Sequence, residues 1–359
     1  MALTILVINP GSTSTKLALW GEDGPLLERI LEHGGGASGA IAAQLPARRD
    51  DVLAFLEANG RTPPDAVCGR GGLLRPIEGG TYLIDEPMLD DLRAARYGEH
   101  ASLLGGLIAH ELGSRWRVPA FVVDPVTVDE MDEVARYSGL PEITRKGRSH
   151  ALSLKAVARL AAAEIGKPLA DTRFAAAHLG GGVSVAALRG GRIVDVNDAL
   201  LGMGPFSPHR VGALPVRGLL DLAFAPDADR AQLERRLVKE GGLHAYLGTG
   251  DLKEVERRIA AGDEAARGAF EAMAYQIAKE IGAVAAALAG ALDGVIFTGG
   301  MARSELLTDR LRERVGFLGR IFHYPGEREM EALAQGALRV LQGREKAKRY
   351  GRAREGGGE

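Results

Sequence analysis

The N-terminal part of the chain alternates between apolar and polar stretches in a pattern that predicts a β-hairpin. An apolar run at 3–8 is followed by a polar stretch at 9–16, rich in Ser and Thr, and by a second apolar run at 17–20. A turn of Gly, Glu, Asp, Gly and Pro comes next. A P-loop would need a helix directly after its Lys. Because the residues after Lys16 favour a strand instead, we predict strand, turn and strand.

Beyond this hairpin, helical and strand-like patterns alternate along the chain. Apolar residues at helical spacing predict helices at 50–59, 88–97, 101–115, 150–165, 219–246, 252–292 and 329–342. Short apolar runs predict buried strands at 65–70, 120–124 and 294–298, and 174–185 is predicted to be strand, turn and strand again. A glycine-rich loop at 34–39 and a solvated or frayed tail at 344–359 are also predicted. Such alternation is typical of an α/β protein.

The sequence contains two internal similarities that indicate a duplication. Aligning Asn9 with His178 also aligns Gly21 with Gly190, and both copies read as strand, glycine turn, strand, turn and strand. A second similarity relates 65–72 to 293–300. Repeated segments in the same order predict two copies of one α/β unit, each beginning with a three-stranded meander. We expect the two halves to face each other across a cleft, each aiming one glycine hairpin at it.

Length and composition narrow the class of protein. A chain of 359 residues is long enough for two domains of ordinary size. Its net charge of −2 argues against a nucleic acid or a membrane surface as the main partner. Its one cysteine, Cys68, excludes a disulfide framework and fits a reducing cytoplasm. No apolar run approaches the roughly 20 residues of a membrane span, so a cytoplasmic protein is expected.

The first turn carries the chemistry of a phosphate site. Its backbone N–H groups, its Ser and Thr hydroxyls and the ammonium of Lys16 are all donors suited to phosphate oxygens. An ordinary polar hairpin turn, with Lys16 lying beside a strand, is the alternative. From the residues of this stretch alone, both interpretations stay open.

Several stretches together resemble one enzyme family. The stretch 7–16 resembles the N-terminal signature of the acetate/butyrate kinase family. Residues 178–182 and 204–210 resemble the butyrate kinase branch of this family. Two further stretches, 124–131 and 324–333, also match family motifs, in the order that the family has them. The resemblance implies duplicated actin-like ATPase (ribonuclease H-like) α/β domains. It also implies reversible transfer of the ATP γ-phosphate to a short-chain fatty carboxylate.

The resemblance implies a division of the chain as well. Residues 1–147, completed by the C-terminal helix within 325–359, would form a domain on the acyl and phosphate side. Residues 148–324 would form the nucleotide-binding domain. The family also implies a homodimer or an assembly of dimers, and the Ala-rich helix at 265–290 offers a contact for it.

Two arginines are carried over from the family as a clamp. Arg70 ends a buried strand, and Arg210 lies in a loop rich in Gly, Pro and Ser. By resemblance, both hold the carboxylate and the transferring phosphate, for which a bidentate guanidinium is suited. Arginines of surface loops are the alternative. A carboxylate acceptor is already ionised at neutral pH, so this chemistry needs charge neutralisation more than a base.

Histidines near the transferring phosphate are also implied. His150 and His178 match family histidines there, and a histidine can donate hydrogen bonds to the developing phosphoryl charge. Without the resemblance, each would be interpreted as a core histidine whose hydrogen bonds are made within the protein. His100 matches a further position less well. The family usually has an aromatic residue immediately before the position of His150, where this chain has Ser149. The resemblance therefore does not identify the residue that forms this wall of the acyl pocket, nor fix the role of His150.

The resemblance implies ATP or ADP and Mg²⁺ as cofactors. Asp124 and Glu329, together with Asn9, would organise Mg²⁺ directly or through water. Glu327 is the alternative because Glu329 aligns only with one inserted residue, and a first-turn glutamate could simply complement a helix dipole. The residues implied to bind the nucleotide and its phosphates are Asn9, Ser12, Ser14, Lys16, Gly180, Gly181, Gly182, Gly299 and Gly300.

The branch signature favours butyrate as the acceptor, so a butyrate kinase is predicted. Because one methylene contributes only about 0.8 kcal/mol on burial, branched and other short carboxylates stay open. A sugar kinase of the same fold, with Asp124 as base, and a filament or chaperone ATPase are the alternatives. Trapping an acyl phosphate with hydroxylamine separates the three.

Overall fold

The computed structural model describes residues 2–33, 41–60 and 63–351. The predicted loop at 34–39 and the end of the predicted tail, 352–359, lie outside the described residues. The chain divides into two compact units. The first combines Met1–Val128 with Arg328–Glu359, and the second is Asp129–Glu327.

The strands occur at most of the predicted positions, with short additional ones. In chain order they are β1 (Ile5–Pro10), β2 (Ser14–Gly21), β3 (Gly24–Glu32), β4 (Ala66–Gly69), β5 (Thr81–Leu83), β6 (Ala120–Val123), β7 (Tyr137–Leu140), β8 (Ile143–Thr144), β9 (Arg173–Leu179), β10 (Val183–Arg189), β11 (Arg192–Val196), β12 (Gly294–Gly299), β13 (Ile321–Pro325) and β14 (Lys348–Arg349).

The α-helices follow the predicted periodicity, and several begin at a side-chain cap. In chain order they are α1 (Leu45–Ala58), α2 (Glu86–Arg93), α3 (Leu103–Trp116), α4 (Ala151–Glu164), α5 (Val216–Ala223), α6 (Arg230–Lys239), α7 (Gly242–Leu247), α8 (Leu252–Ala260), α9 (Glu264–Ala287), α10 (Glu305–Val315) and α11 (Glu329–Leu341). Asp263, for example, accepts a hydrogen bond from the N–H of Ala266 at the start of α9. Among the described residues, no helix has both the length and the apolar character needed to cross a membrane.

The two units repeat one sheet topology. Described residues of the first unit form a seven-stranded sheet in the order β14-β5-β6-β4-β1-β2-β3, and those of the second form a five-stranded sheet in the order β11-β10-β9-β12-β13. In both, the first three strands form an antiparallel meander, and the next strand joins the first one in parallel. The predicted fold class, a duplicated α/β unit, is confirmed.

The repeat extends to individual hydrogen bonds. In the first unit, Asp65 donates its N–H to the carbonyl of Thr4 at 2.8 Å and accepts from the N–H of Thr4 at 2.7 Å. In the second unit, Asp293 does the same with Arg173, at 2.8 and 2.9 Å. Each aspartate therefore joins the start of β4 or β12 to the start of the neighbouring first strand.

The boundary between the units lies before the predicted one at 147. Residues that follow Val128 pack on the second unit, where the N–H of Asp132 donates to the carbonyl of Val194. The buried Glu130 pairs with Lys155 at 2.8 Å and accepts from the N–H of Ile193. These bonds attach the segment to α4 and β11, and sequence patterns do not record such long-range contacts.

The second unit buries one side of its longest helix. Residues of α9 that include Phe270, Met273 and Ile277 pack in the core cluster with the strands β9, β10 and β12. The apolar side of the Ala-rich helix is therefore packed within its own unit, and a subunit contact at 265–290 stays a prediction. The first unit has a separate core, which includes Leu6, Ile8 and residues of α3.

The tail predicted to be solvated or frayed is not frayed at residues 348–350. β14 pairs with β5 in parallel, and Tyr350 is buried with its hydroxyl donating to the carboxylate of Asp91 at 2.8 Å. Glu345 accepts from the N–H of Thr81 and from the guanidinium of Arg339. Two charged residues of this segment, Glu345 and Lys348, thus bond to Thr81 and Glu78, which are distant in sequence.

Candidate active site

The turn between β1 and β2 has the predicted hairpin geometry. The N–H of Gly11 donates to the carbonyl of Ser14 at 2.7 Å, and Asn9 lies directly opposite Lys16 in the antiparallel register. Opposite residues of an antiparallel pair project from the same face of the sheet. The turn therefore presents Asn9 and Lys16 on one face, and Ser12 at its tip is exposed.

A buried arginine from α1 holds this turn from behind. The guanidinium of Arg48 donates to the carbonyls of Gly11, Ser12 and Ser14 at 2.8, 3.0 and 3.3 Å. Arg48 is only 3% exposed, and burial lowers the pKa of its guanidinium. Arg48 could not be predicted from local sequence patterns, because its contacts join positions more than 30 residues apart in the chain.

Arg70 lies at the end of β4, where two backbones approach closely. A Cβ added at Gly69 would lie 2.0 Å from the carbonyl oxygen of Gly105 on α3. Only glycine permits this contact. The N–H of Arg70 donates to the carbonyl of Ile8 at 2.9 Å, so Arg70 follows directly on the parallel pairing of β1 with β4.

Three of the predicted residues meet at the start of α11. The amide Nδ2 of Asn9 donates to Oε2 of Glu329 at 2.8 Å, and Nη2 of Arg70 lies 3.3 Å from Oε1 of the same carboxylate. The side chain of Arg70 is 8% exposed. Its Nη1 is buried and makes no hydrogen bond to any described residue. A buried guanidinium N–H without an acceptor fits an anionic oxygen from a ligand.

Asp124 lies at the end of β6 in a strained conformation. Its φ of 38° is in the left-handed region, which non-glycine residues seldom adopt. Its Oδ1 accepts from the N–H of Gly80 at 2.7 Å, and its own N–H donates back to the carbonyl of Gly80. The structure therefore fixes Asp124 against Gly80.

His100, the less closely matched histidine, also lies in the first unit. Its Nδ1 accepts from the N–H of Ser102 and is 2.7 Å from the hydroxyl of the same serine. Burial and the nearby charge of Arg70 lower the pKa of His100. His100 is therefore close enough to Arg70 for the positive charge of the guanidinium to disfavour the protonated ring.

In the second unit, His150 and His178 lie against each other. Their rings stack with centroids 3.9 Å apart. Ser184 is the cross-strand partner of His178, and its Oγ lies 2.8 Å from Nδ1 of His150 and accepts from the N–H of His150. The preceding Ser149 is buried, and its hydroxyl has no partner among the described residues.

The glycine turn between β9 and β10 is packed against Arg210. A Cβ added at Gly182 would lie 2.0 Å from Nη1 of Arg210, whose guanidinium also donates to the carbonyl of Ala199. The hydroxyl of the buried Ser207 donates to the carbonyl of Gly181 at 2.8 Å, which ties the loop of Arg210 to the same turn. Burial lowers the pKa of Arg210.

The paired glycines that follow β12 have two different roles. Gly299 has a φ of 92°, and a Cβ there would lie 2.3 Å from the carbonyl oxygen of Leu179. Gly299 is therefore required by packing against the end of β9. Gly300 faces open space, since nothing lies within 4 Å of a Cβ placed there. Only Gly300 thus leaves room of the kind predicted for an adenosine.

Comparison with known proteins shows the family to which this chain belongs. The sequence profile of the acetokinase family matches residues 137–330, which is more than half of the chain. The chain belongs to the acetokinase family. As a member, it is a phosphotransferase of the acetokinase type that acts on a carboxylate.

Solved structures share the fold of this acetokinase-family chain. Acetate kinase from Porphyromonas gingivalis aligns with a TM-score of 0.78 at 22% identity, over 94% of this chain and 100% of its own. A propionate kinase from Francisella tularensis aligns with a TM-score of 0.74 at 20% identity, over 93% and 98%. A ROK family protein from Streptococcus pneumoniae, solved in complex with sucrose, aligns with a TM-score of 0.53 at 16% identity, over 95% of this chain and 100% of its own.

In this acetokinase-family chain, some of the predicted residues form a group in each unit. Asn9, Arg70 and Glu329 are in contact in the first unit, and Asp124 of the same unit bonds to Gly80. The group of the second unit comprises His150, His178, Gly180, Gly181, Gly182 and Arg210.

Three polar residues that were not predicted position parts of the candidate site. Arg48 holds the first turn, Ser184 contacts His150, and Ser207 ties the loop of Arg210 to Gly181. For Ser184 a signal existed, because a serine paired with His178 across an otherwise apolar hairpin is unusual. Ser207 lies within the stretch 204–210 that resembles the family, but the partners of Arg48 and Ser207 are set by packing between distant segments.

Proposed function

We propose that this protein catalyses the reversible transfer of the γ-phosphate of ATP to butyrate, giving butyryl phosphate and ADP. Family membership supports a carboxylate as the acceptor. The choice of butyrate rests on the branch signature of the sequence, at Asn9, 180–182 and 204–208. The solved relatives are named for acetate and propionate, so the length of the acyl chain is the finer part of the proposal.

The observation that supports the proposal best is the incomplete hydrogen bonding of the buried Arg70 guanidinium. Glu329 holds one edge of its guanidinium, while the buried Nη1 has no acceptor among the described residues. Leaving a buried charged donor without a partner costs on the order of 1–3 kcal/mol or more. An incoming carboxylate or phosphoryl oxygen would remove that cost. We propose that Arg70 binds this oxygen and that Arg210 has the corresponding role in the second unit.

The proposed chemistry needs little from the protein beyond position and charge. A carboxylate oxygen of butyrate attacks the γ-phosphorus, the bond to the bridging oxygen of ADP breaks, and no proton has to be removed from the acceptor. Arg70 and Arg210 would neutralise the equatorial oxygens, and His150 and His178 would donate hydrogen bonds to them. The N–H groups and hydroxyls of the first turn, with Lys16, would hold the phosphates.

The residues present fit a magnesium ion bound together with nucleotide phosphates. Mg²⁺ is usually held by one or two carboxylates plus phosphate oxygens and waters, all of them oxygen ligands. The carboxylate of Glu329 is 25% exposed, and Asn9, whose Nδ2 bonds to it, keeps its amide oxygen as an acceptor. Among the described residues, no three His, Cys, Asp or Glu side chains cluster as a complete metal site. We propose Glu329 and Asn9 as the protein part of a site that neutralises phosphate charge.

An acyl phosphate trap tests the proposed function. Purified protein is given ATP, Mg²⁺ and hydroxylamine with acetate, propionate, butyrate, isobutyrate or valerate, and the hydroxamate is measured. We expect the highest kcat/KM with butyrate, falling about fourfold for each methylene removed, as expected for about 0.8 kcal/mol per buried methylene. Hydroxamate formed best with acetate would contradict butyrate alone. No hydroxamate from any acid, with ADP released when a hexose is supplied, would favour the sugar kinase instead.

A further inference from the structure

The peptide groups of the first turn have a common orientation that is set by Arg48. Its Nη1 donates to the carbonyl of Gly11 at 2.8 Å and its Nη2 to that of Ser12 at 3.0 Å. In a trans peptide the C=O and the following N–H point in opposite directions. The N–H groups of Ser12 and Thr13 are therefore directed away from the guanidinium.

Those two N–H groups are available on the exposed side of the turn. Ser12 and Thr13 are both exposed, and no described residue accepts a hydrogen bond from either N–H. Successive backbone N–H groups that converge in this manner form an anion-binding concavity. Because the carbonyls of Gly11 and Ser12 point to the buried side of the turn, the N–H groups of Ser12 and Thr13 are left as donors on its exposed side.

Arg48 is itself held rigidly on the buried side of the turn. Its Nε and Nη2 donate to Oε1 of Gln44 at 3.1 and 2.8 Å, and Nη1 also reaches Oγ1 of Thr15 at 3.3 Å. No carboxylate of a described residue lies within ion-pair distance of the guanidinium. Carbonyls of the turn therefore accept three of its six hydrogen bonds, and none of the six goes to an acid.

We infer that Arg48 is a positioning residue for phosphate binding: it orders the turn at 11–14 so that the N–H groups of Ser12 and Thr13 receive a nucleotide phosphate. The inference rests on the proposed function and deepens it. The guanidinium contacts the turn from behind, and its charge adds to the positive potential that the phosphate meets. A planar fork with five donors suits several carbonyls at once, whereas a lysine ammonium does not.

The test compares Arg48→Met with Arg49→Met, the matched control. Arg49 lies next to it on α1, is 34% exposed, and pairs with Asp50 and Glu111 away from the turn. For each variant the affinities for ATP and for adenosine are measured by calorimetry, kcat by hydroxamate formation and stability by urea unfolding. The ratio of the two affinities reports on the phosphates alone, because adenosine has none.

For Arg48→Met we expect the ATP-to-adenosine affinity ratio to fall about tenfold or more, as for loss of one well-placed charged hydrogen bond. We expect kcat to fall about 10²-fold, as for a misplacement near 1 Å. Arg49→Met should match the wild type. Gln44→Met removes the anchor of the guanidinium but keeps Arg48, and should change the ratio in the same direction by less.

An unchanged ratio and kcat in Arg48→Met, with only lower stability, would overturn the inference and leave Arg48 a structural residue. If Arg48→Met does not fold, Arg48→Lys decides between the same outcomes, because it keeps the charge but not the fork. A wild type that binds ATP more tightly than adenosine but phosphorylates no carboxylate would overturn the proposed function alone. Equal binding of ATP and adenosine by the wild type would overturn the inference as well.

Discussion

His150 and His178 stack face to face, with ring centroids 3.9 Å apart and 10° between the ring planes. Ser184 accepts from the N–H of His150 with the same oxygen that lies beside Nδ1 of that ring. We therefore expect the histidines to act as one unit whose orientation Ser184 sets.

Replacing Ser184 with alanine tests this arrangement. Its hydroxyl can donate to Nδ1 of His150, which leaves the ring proton on Nε2. Because one hydrogen bond contributes about 0.5–1.5 kcal/mol, we expect Ser184→Ala to lower kcat by up to about tenfold with little change in KM for ATP. Steady-state kinetics measure both. Ser153→Ala, at another buried serine on α4, is the control. An equal loss in both variants would show a general packing effect.

Gly182→Ala tests the position of Arg210 without changing the arginine. The new Cβ would lie 2.0 Å from Nη1 of Arg210, so the guanidinium has to move. We expect kcat to fall in the same direction as in Arg210→Ala, for which about 10²–10³-fold is expected on loss of one charge-stabilising donor. Arg70→Ala should show a loss of similar size.

Hydroxamate kinetics measure these effects, and urea unfolding checks the fold. Gly218→Ala is the control, since nothing lies within 4 Å of a Cβ there. Near wild-type turnover in Arg70→Ala and Arg210→Ala would show that neither arginine contributes to the reaction. Wild-type turnover in Gly182→Ala alone would show that Arg210 tolerates the displacement.

Glu329→Gln tests the proposed magnesium site. The amide keeps the size of the side chain but removes the charge that pairs with Arg70 and would attract the cation. We expect the Mg²⁺ concentration for half-maximal activity to rise about tenfold or more, by analogy with single charged contacts. Magnesium titrations at fixed ATP measure it. Glu327→Gln is the matched comparison, and a shift in that variant instead would assign the metal to Glu327.

The stability of the chain should decrease in mild acid because of His33. Burial and the charge of Arg48 lower the pKa of His33 from its ordinary value of 6.5, while Asp51 and Glu32 oppose the shift. The unfolded chain then takes up this proton more readily than the folded one. The free energy of unfolding should therefore fall as the pH falls below about 6.5.

Urea midpoints of the wild type and of His33→Gln, measured between about pH 5 and pH 8, check this dependence. The glutamine variant should show a weaker loss toward acid pH, because the titrating group is gone while an amide can still reach Thr15. His110→Gln, on α3, is the control. An identical acid loss in the wild type and His33→Gln would assign the effect to other groups.

Much of the fold could be predicted from local patterns. The helix predicted at 150–165 occurs as Ala151–Glu164, and the strand predicted at 120–124 occurs as Ala120–Val123. Both have strong periodicity and clear end signals, which depend only on neighbouring residues. The single helical stretch predicted at 219–246 is instead three helices. Pro226 and the N-cap residue Asp229 separate the first two, and the break at Gly241 packs against the loop of Arg210.

The sequence by itself determined the repeat, the family and the residue types of the phosphate turns. These follow from local order: an apolar run, a glycine turn and a second run recur in the same sequence in both halves. Only the tertiary structure decided that Glu329 meets Asn9 and Arg70, and that residues 348–349 add a strand rather than fray.

Arg48 shows the physical reason for this division. Nothing in its neighbourhood on α1 distinguishes it from Arg49, yet one is buried against the carbonyls of the first turn and the other is partly exposed and paired with acids. Their difference arises from the rotation of one helix against a turn far away in the chain. Local propensity carries no information on that contact, and packing alone sets it.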